Sequence, residues 1–240
     1  MKIEYTIVSI NDERAGHKEA LRGLLSLPEI TDIEFVNARD KEQLNRILAK
    51  YPTIRPNQWI PKLGELGIWL SQIQCWKWLV ESDTDALIVF EDDAIATGSF
   101  ESILGLYVDD LPDDWDMLSL SVPDNQRQDF YYRQVYDEYG IPKSLVRAGD
   151  KPYEFEYGKP TLARAYQGYC CVATMYSKKG AQRLLELAEE YGIYTPVDCF
   201  LFLQAHAGRL EAFAPKPISP MCVVIDWFAP TTIHTTELYN

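Results

Sequence analysis

No apolar run in this 240-residue chain can cross a bilayer. The longest, at 86–90 and 221–225, fall far short of the roughly 20 residues a span needs. Basic residues are scarce, with 23 Lys plus Arg against 36 Asp plus Glu, and the formal net charge is −13. No Lys/Arg cluster exceeds short pairs such as Lys178 and Lys179, so the chain as a whole repels a phosphate backbone and nucleic acid is disfavoured as a partner. Three histidines do not allow a Ser–His–Asp or Cys–His triad to be assigned. The five cysteines (75, 170, 171, 199 and 222) are odd in number and follow no metal-finger spacing, which fits reduced, buried thiols. A phosphate-binding glycine fingerprint is also missing, because the Gly64/Gly67 pair lacks a third glycine and a preceding strand. The N-terminus has one basic residue and no small-residue cleavage site, so it reads as a first strand and not a signal peptide. The expected location is therefore cytoplasmic.

What remains is a globular chain, 47% hydrophobic and 25% charged, with neither an internal repeat nor a break in composition. We expect one domain over 1–240, interrupted by an irregular, Tyr- and Pro-rich insertion at about 122–165. The first half alternates strand and helix signals: a β-branched strand at 3–10, a helix at 15–27, a strand at 33–36 and a short amphipathic helix at 41–51. The next helix carries Leu66, Trp69, Leu70, Ile73, Trp76 and Val80 at intervals of three and four. Residues 86–90 form a continuous apolar run, the pattern of a central strand covered on both faces. Strands are also expected at 116–121 and 169–176. Ser177 is placed to cap a helix at 178–191, and a buried helix follows at 196–207. Together these units predict an α/β fold with a mixed, mostly parallel central sheet flanked by helices. Ligands of such sheets sit beyond the C-terminal strand ends, which here places residues 9–14, 37–40 and 91–93 on one rim.

Glu91, Asp92 and Asp93 follow directly on the most apolar strand. Crowded carboxylates raise one another's pKa unless a cation or hydrogen-bond donors relieve them. Alternation along an extended chain would send Glu91 and Asp93 to one side and Asp92 to the other. Oxygen ligands of this kind suit Mg²⁺ or Mn²⁺, although an acidic turn in an acidic protein has the same composition.

Four segments, in order, resemble glycosyltransferase family 25, which includes lipooligosaccharide and collagen galactosyltransferases. They are Gly64-Glu-Leu-Gly-Ile-Trp-Leu-Ser-Gln with Trp76-Lys77, Ala86-Leu-Ile-Val-Phe-Glu-Asp-Asp-Ala94, Ser177-Lys-Lys-Gly-Ala181 and Pro196-Val-Asp198. The sequence departs from the family at Gln72, where His is common, and at Phe90, which is bulkier than the usual Leu. The segment 122–165 and the C-terminal tail have no counterpart, so acceptor identity does not transfer.

The resemblance implies a GT-A-like (Rossmann-like) fold and transfer of a hexose, galactose in the best-known members, from a UDP-sugar to an acceptor hydroxyl with inversion. It also implies a Mn²⁺ or Mg²⁺ ion at the acidic motif. On this reading Glu91 and Asp93 hold the metal, with His234 as a further ligand from the C-terminal segment. Asp198 is the expected base, a helix N-cap being its alternative role, and Glu65 and Asp92 are weaker candidates. Ser9, Asn11, Arg14, Asn37, Glu65, Ser71 and Asp92 are expected on the donor side, Arg14 facing the diphosphate. The partners implied are the UDP-hexose and a glycan or other hydroxyl-bearing acceptor. Two other classes share these features: a non-catalytic nucleotide-sugar- or carbohydrate-binding protein of the same fold, and a Mg²⁺-dependent phosphotransfer domain. The latter would need a nucleophilic Asp near the first strand, where Asp12 stands.

Overall fold

The computed structural model describes residues 1–10, 14–54, 62–121, 158–165, 170–216 and 219–225. Its strands are β1 (Ile3–Val8), β2 (Ala86–Glu91), β3 (Ala94–Ala96), β4 (Met117–Ser119), β5 (Leu162–Arg164), β6 (Ala173–Ser177), β7 (Ala212–Pro215) and β8 (Val223–Ile225). The helices are α1 (Ala15–Arg22), α2 (Lys41–Lys50), α3 (Leu63–Glu81), α4 (Phe100–Asp110), α5 (Lys178–Tyr191) and α6 (Val197–His206). Six strands form the main sheet in the order β1-β2-β6-β4-β7-β5, and β3 pairs with β8 in a separate ribbon. β1 runs parallel to β2 and β4 to β7, whereas β6 is antiparallel to both its neighbours and β5 to β7. Four of the six strands thus share one direction. This is the mixed α/β architecture, GT-A-like in kind, that the sequence leads one to expect.

β2 explains why. Ala86, Leu87, Ile88, Val89 and Phe90 are all fully buried, because helices cover both sides of the strand. One face packs against α2, α3, α5 and α6, with Trp69, Trp76, Tyr176 and Phe200 in edge-on contact. The other packs against α1, α4 and the β3–β8 ribbon through Tyr5, Phe90, Phe100 and Tyr107. α3 and α6 are apolar nearly all round and are correspondingly buried.

The start signals work as read. Asp40 Oδ1 accepts the amides of Glu42 and Gln43, and Ser177 Oγ accepts that of Gly180 at 2.9 Å. Other expectations need correction. The helix at 15–27 stops at Arg22, because Gly23 is a poor helix former and the chain tightens into i→i+3 bonds at Leu24 and Leu25. Residues 33–36 are not a strand. The Val36 amide donates to Ser71 Oγ (2.9 Å) and Phe35 C=O accepts from Gln43 Nε2 (2.9 Å), so this segment lies on α3 instead of a ladder. The outer edge of β1 is met by residues 28–30, through Tyr5 N–H to Pro28 O (3.0 Å) and Ile30 N–H to Tyr5 O (2.7 Å). Buried Asp110, at the end of α4, accepts from the Thr161 amide (2.8 Å) and hydroxyl (2.6 Å). Of the insertion expected at 122–165 only 158–165 are among the described residues, and these are not wholly irregular, because Leu162–Arg164 form β5 and pair with β7.

α5 follows β6 without a loop and passes so close to the start of β4 that a Cβ on Gly180 would sit 2.0 Å from Asp116 O. Gly180→Ala therefore displaces backbone and should lower stability by about 1–3 kcal/mol in denaturant unfolding. Gly105 in α4 has no atom within 4 Å of the corresponding position, and Gly105→Ala should instead add about 0.5–1 kcal/mol.

Candidate active site

β1 and β2 are parallel and in register from Ile3↔Ala86 to Val8↔Glu91, so their C-terminal ends finish side by side. This puts Ser9 next to the acidic tripeptide, where Ser9 Oγ donates to Asp92 Oδ2 at 2.6 Å. Arg14, at the N-cap of α1, forms an ion pair through Nη1 with the other Asp92 oxygen, and both side chains are about nine-tenths buried. Asp92 therefore faces the α1 side of the sheet.

Glu91 faces the other way. It is half-buried on the side of α3 and α6, and its amide holds the chain before β6 by donating to Val172 O at 2.8 Å. Loss of hydration, then the negative charges of Asp93, Asp198 and Asp92, push the Glu91 carboxyl up to about 8 against only a weak opposing pull from Arg14. At neutral pH Glu91 is thus predominantly protonated. The strongest charge partners of Glu91 are Asp93 and Asp198, while Asp92 is engaged by Arg14 and Ser9; Asp92 and Asp93 form a turn after β2, so the alternation expected of an extended chain does not apply to them.

Asp198 lies in the first turn of α6. The N-cap is Pro196, so Asp198 is not the capping residue, yet it takes over part of that work. Its Oδ1 accepts the following amide of Cys199 (2.7 Å), and its Oδ2 accepts the amide of Cys170 (2.8 Å). Cys170 makes its bond from a left-handed backbone, φ 68°, a conformation costly for a residue with a side chain. Burial, followed by the charges of Asp198, Glu91 and Asp93, keeps its thiol neutral. Cys170 is the site residue that the sequence reading missed, and only a glycine there would have signalled the turn.

The remaining expected residues are placed as follows. Glu65, in the first turn of α3, accepts the Lys62 amide at 3.0 Å; burial first and the charge of Asp198 second raise its pKa. It borders the cluster but also caps its own helix. Ser71 is buried, with its hydroxyl bonded to Gly67 O (2.8 Å) and to the Val36 amide, so this placement gives it a structural fastening and no surface for a donor. Asn37 bonds within its own loop, its amide to Gln43 Oε1 (2.8 Å) and its Oδ1 to the Arg39 amide (3.1 Å). Residues 37–40 thus start α2, and the described contacts do not bring them to the rim where 9–14 and 91–93 meet. Asn11, Asp12 and His234 lie outside the described residues.

Among the described residues no group of three or more His, Cys, Asp or Glu side chains is arranged to hold a metal ion. The chemistry of the donor set nonetheless suits a hard divalent cation. Glu91, Asp93 and Asp198 offer carboxylate oxygens, and the Glu91 carboxyl is raised first by burial and then by the charges of the other two, which such a cation would relieve. No helix among the described residues is long and apolar enough to cross a membrane.

The sequence model of glycosyltransferase family 25, described as an LPS biosynthesis protein, matches residues 7–201. That span runs from β1 into α6 and includes Ser9, Arg14, Glu65, Glu91, Asp92, Asp93, Cys170 and Asp198. No curated protein matches the chain.

The raised pKa of Glu91 has a signed consequence. Between its ordinary value of 4.5 and about 8, the folded chain holds a proton on this group that the unfolded chain has released. Unfolding stability attributable to Glu91 therefore falls as pH rises through that window and levels off above it. Glu91→Gln should flatten this slope and be the more stable form at pH 8, as measured by denaturant unfolding at a series of pH values.

Proposed function

Since the chain belongs to glycosyltransferase family 25 and is a glycosyltransferase, we propose that it transfers a hexose, galactose first among candidates, from a UDP-sugar to a hydroxyl of a glycan acceptor, with inversion at the anomeric carbon and in the cytoplasm. The observation that carries this reading is the position of Glu91 and Asp93 at the end of β2, where burial first and the negative charges of Asp93 and Asp198 second keep Glu91 protonated near neutrality. Glu91 and Asp93 would hold a Mn²⁺ or Mg²⁺ ion, with His234 as a further ligand. Such an ion, when bound, neutralises negative charge on the diphosphate leaving group.

The protein's own contribution is acid–base and positional. Asp198 accepts the proton of the acceptor hydroxyl as its oxygen bonds to the anomeric carbon and the bond from that carbon to the diphosphate breaks. The Cys170 and Cys199 amides hold the Asp198 carboxylate in one orientation before and after that transfer. Each of its oxygens accepts one of these amides and keeps a second lone pair for the incoming proton. Ser9, Arg14 and Asp92, across the strand end from this cluster, border the donor side of the rim.

Release of UDP from a panel of UDP-sugars, with Mn²⁺ or with chelator, tests the proposal directly. Turnover of one donor that chelator abolishes is expected, and Asp93→Ala should reduce it at least about a hundredfold. Hydrolysis of simple phosphate esters without UDP release would overturn the reading in favour of phosphotransfer, and tight UDP binding with no turnover when acceptors are supplied would favour a binding protein. For the base, Asp198→Asn should keep UDP affinity while kcat falls about 10²–10⁴-fold. Unchanged transfer would leave Asp198 with only its structural bonds.

A further inference from the structure

Trp69 buries one polar atom among many apolar ones, and that atom is committed outside its own helix. The side chain is fully buried on α3, and its indole Nε1–H donates to Thr195 O at 2.7 Å, across 126 positions of sequence. Thr195 is itself fully buried and directly precedes Pro196, the N-cap of α6, with Asp198 in the first turn that follows. Pro196 has no amide to donate and supplies no side-chain cap, and the Thr195 hydroxyl is buried without a hydrogen-bond partner. The Thr195 carbonyl is therefore a point at which the core of the protein grips the entry to α6.

The same indole grips α6 a second time. Its ring meets that of Phe200 edge-on, with centroids 4.7 Å apart, and the Phe200 amide closes the first turn of α6 on Pro196 O at 3.0 Å. Asp198 lies between the two gripped residues. Glu65 stands one helical turn before Trp69 on the same face of α3. Burial first and then the charge of Asp198 raise the Glu65 pKa, so the start of α3 borders Asp198 as well.

We propose that Trp69 is a positioning residue for the transfer reaction, fixing the backbone at the start of α6 and with it the place of the Asp198 carboxylate opposite the acceptor hydroxyl. This rests on the reading of Asp198 as the base and adds to it the residue that aims the base. The Cys170 and Cys199 amides orient the carboxylate once its backbone is in place, whereas Trp69 sets where that backbone stands. Phenylalanine would keep a ring beside Phe200 but has no N–H, which leaves the Thr195 carbonyl buried and unpaired. The turn would then shift toward another donor, and a displacement of about 1 Å at reacting atoms costs about a hundredfold in rate.

The test compares the full chain with Trp69→Phe, Asp198→Asn, their double variant, and Trp115→Phe, which removes a buried indole from the opposite face of the sheet. UDP release from UDP-galactose, or whichever UDP-sugar turns over, with Mn²⁺ and oligosaccharide acceptors gives kcat and KM. Calorimetry gives UDP affinity, and native-state hydrogen exchange gives the protection of single amides. Trp69→Phe should lower kcat about tenfold or more, while donor KM and UDP affinity stay within about twofold. Its Cys170 and Cys199 amides should exchange at least about tenfold faster relative to those of β2, which report global opening. In the Asp198→Asn background Trp69→Phe should cost nothing further, and Trp115→Phe should leave kcat unchanged. Undiminished kcat in Trp69→Phe, an equal loss in Trp115→Phe, or a loss that persists in full without the Asp198 carboxylate overturns the positioning role. If Trp69→Phe fails to fold, the wild-type indole decides. Trp69 Nε1–H should exchange at the rate of the Cys199 amide, and exchange about tenfold or more faster overturns the inference. Unchanged transfer in Asp198→Asn, where Trp69 is intact, overturns the base reading and with it any part for Trp69 in the reaction. Lost transfer in Asp198→Asn beside undiminished kcat in Trp69→Phe overturns the positioning role alone.

Discussion

Taking a carboxylate out of water costs several kcal/mol unless donors or a cation replace the lost hydration, and β2 delivers three in succession from a fully buried strand. The chain meets this cost in three different ways within a few residues. Asp92 receives a guanidinium and a hydroxyl. Asp198, arriving from α6, receives two backbone amides. Glu91 is left to keep its proton to about pH 8. The strand end thus separates a side where positive charge is concentrated from a side where negative charge is. Because β1 stops in register with β2 and the chain before β6 is bonded to Glu91, the rim depends on both neighbours of β2.

Much of this was legible wherever the pattern was long or chemically specific. The apolar run of β2, the three-and-four spacing of α3, the Ser177 cap and the all-round apolar α6 each match a single structural solution, and the structure adopts it. The acidic tripeptide was likewise conspicuous by its position. Its meeting with Ser9 and Arg14 on one rim followed from the parallel course of β1 and β2.

What stayed hidden was short or non-local. β3, β5 and β8 have three residues each, too few for a period to emerge. α4 has Phe100, Ile103, Leu104 and Tyr107 at helical spacing, but Ser99 makes no side-chain cap to mark its start. Residues 33–36 carry a strand-like apolar pattern that is equally satisfied by lying on α3, and periodicity cannot tell the two apart. The pairing of Arg14 with Asp92 spans 78 positions, and the tie from Cys170 to Asp198 uses a backbone amide, which carries no residue signature. Asn37 and Ser71 show the converse. Their positions in the sequence suggested the site, but their hydrogen bonds were needed to start α2 and to fasten the loop that precedes it.

The insertion of antiparallel β6 between β2 and β4 has a consequence for how the chain is made. β2 gains its first partner, β1, as soon as it is synthesised, but its second is encoded more than eighty positions later. At typical elongation rates of about 5–20 residues per second, that interval lasts roughly 4–16 s. Throughout it the most apolar edge in the molecule carries unpaired backbone groups, open to a neighbouring nascent chain. The charges at the end of that strand, at 91–93, then act as gatekeepers against intermolecular pairing. The same three charges would in this way guard the polypeptide on the ribosome.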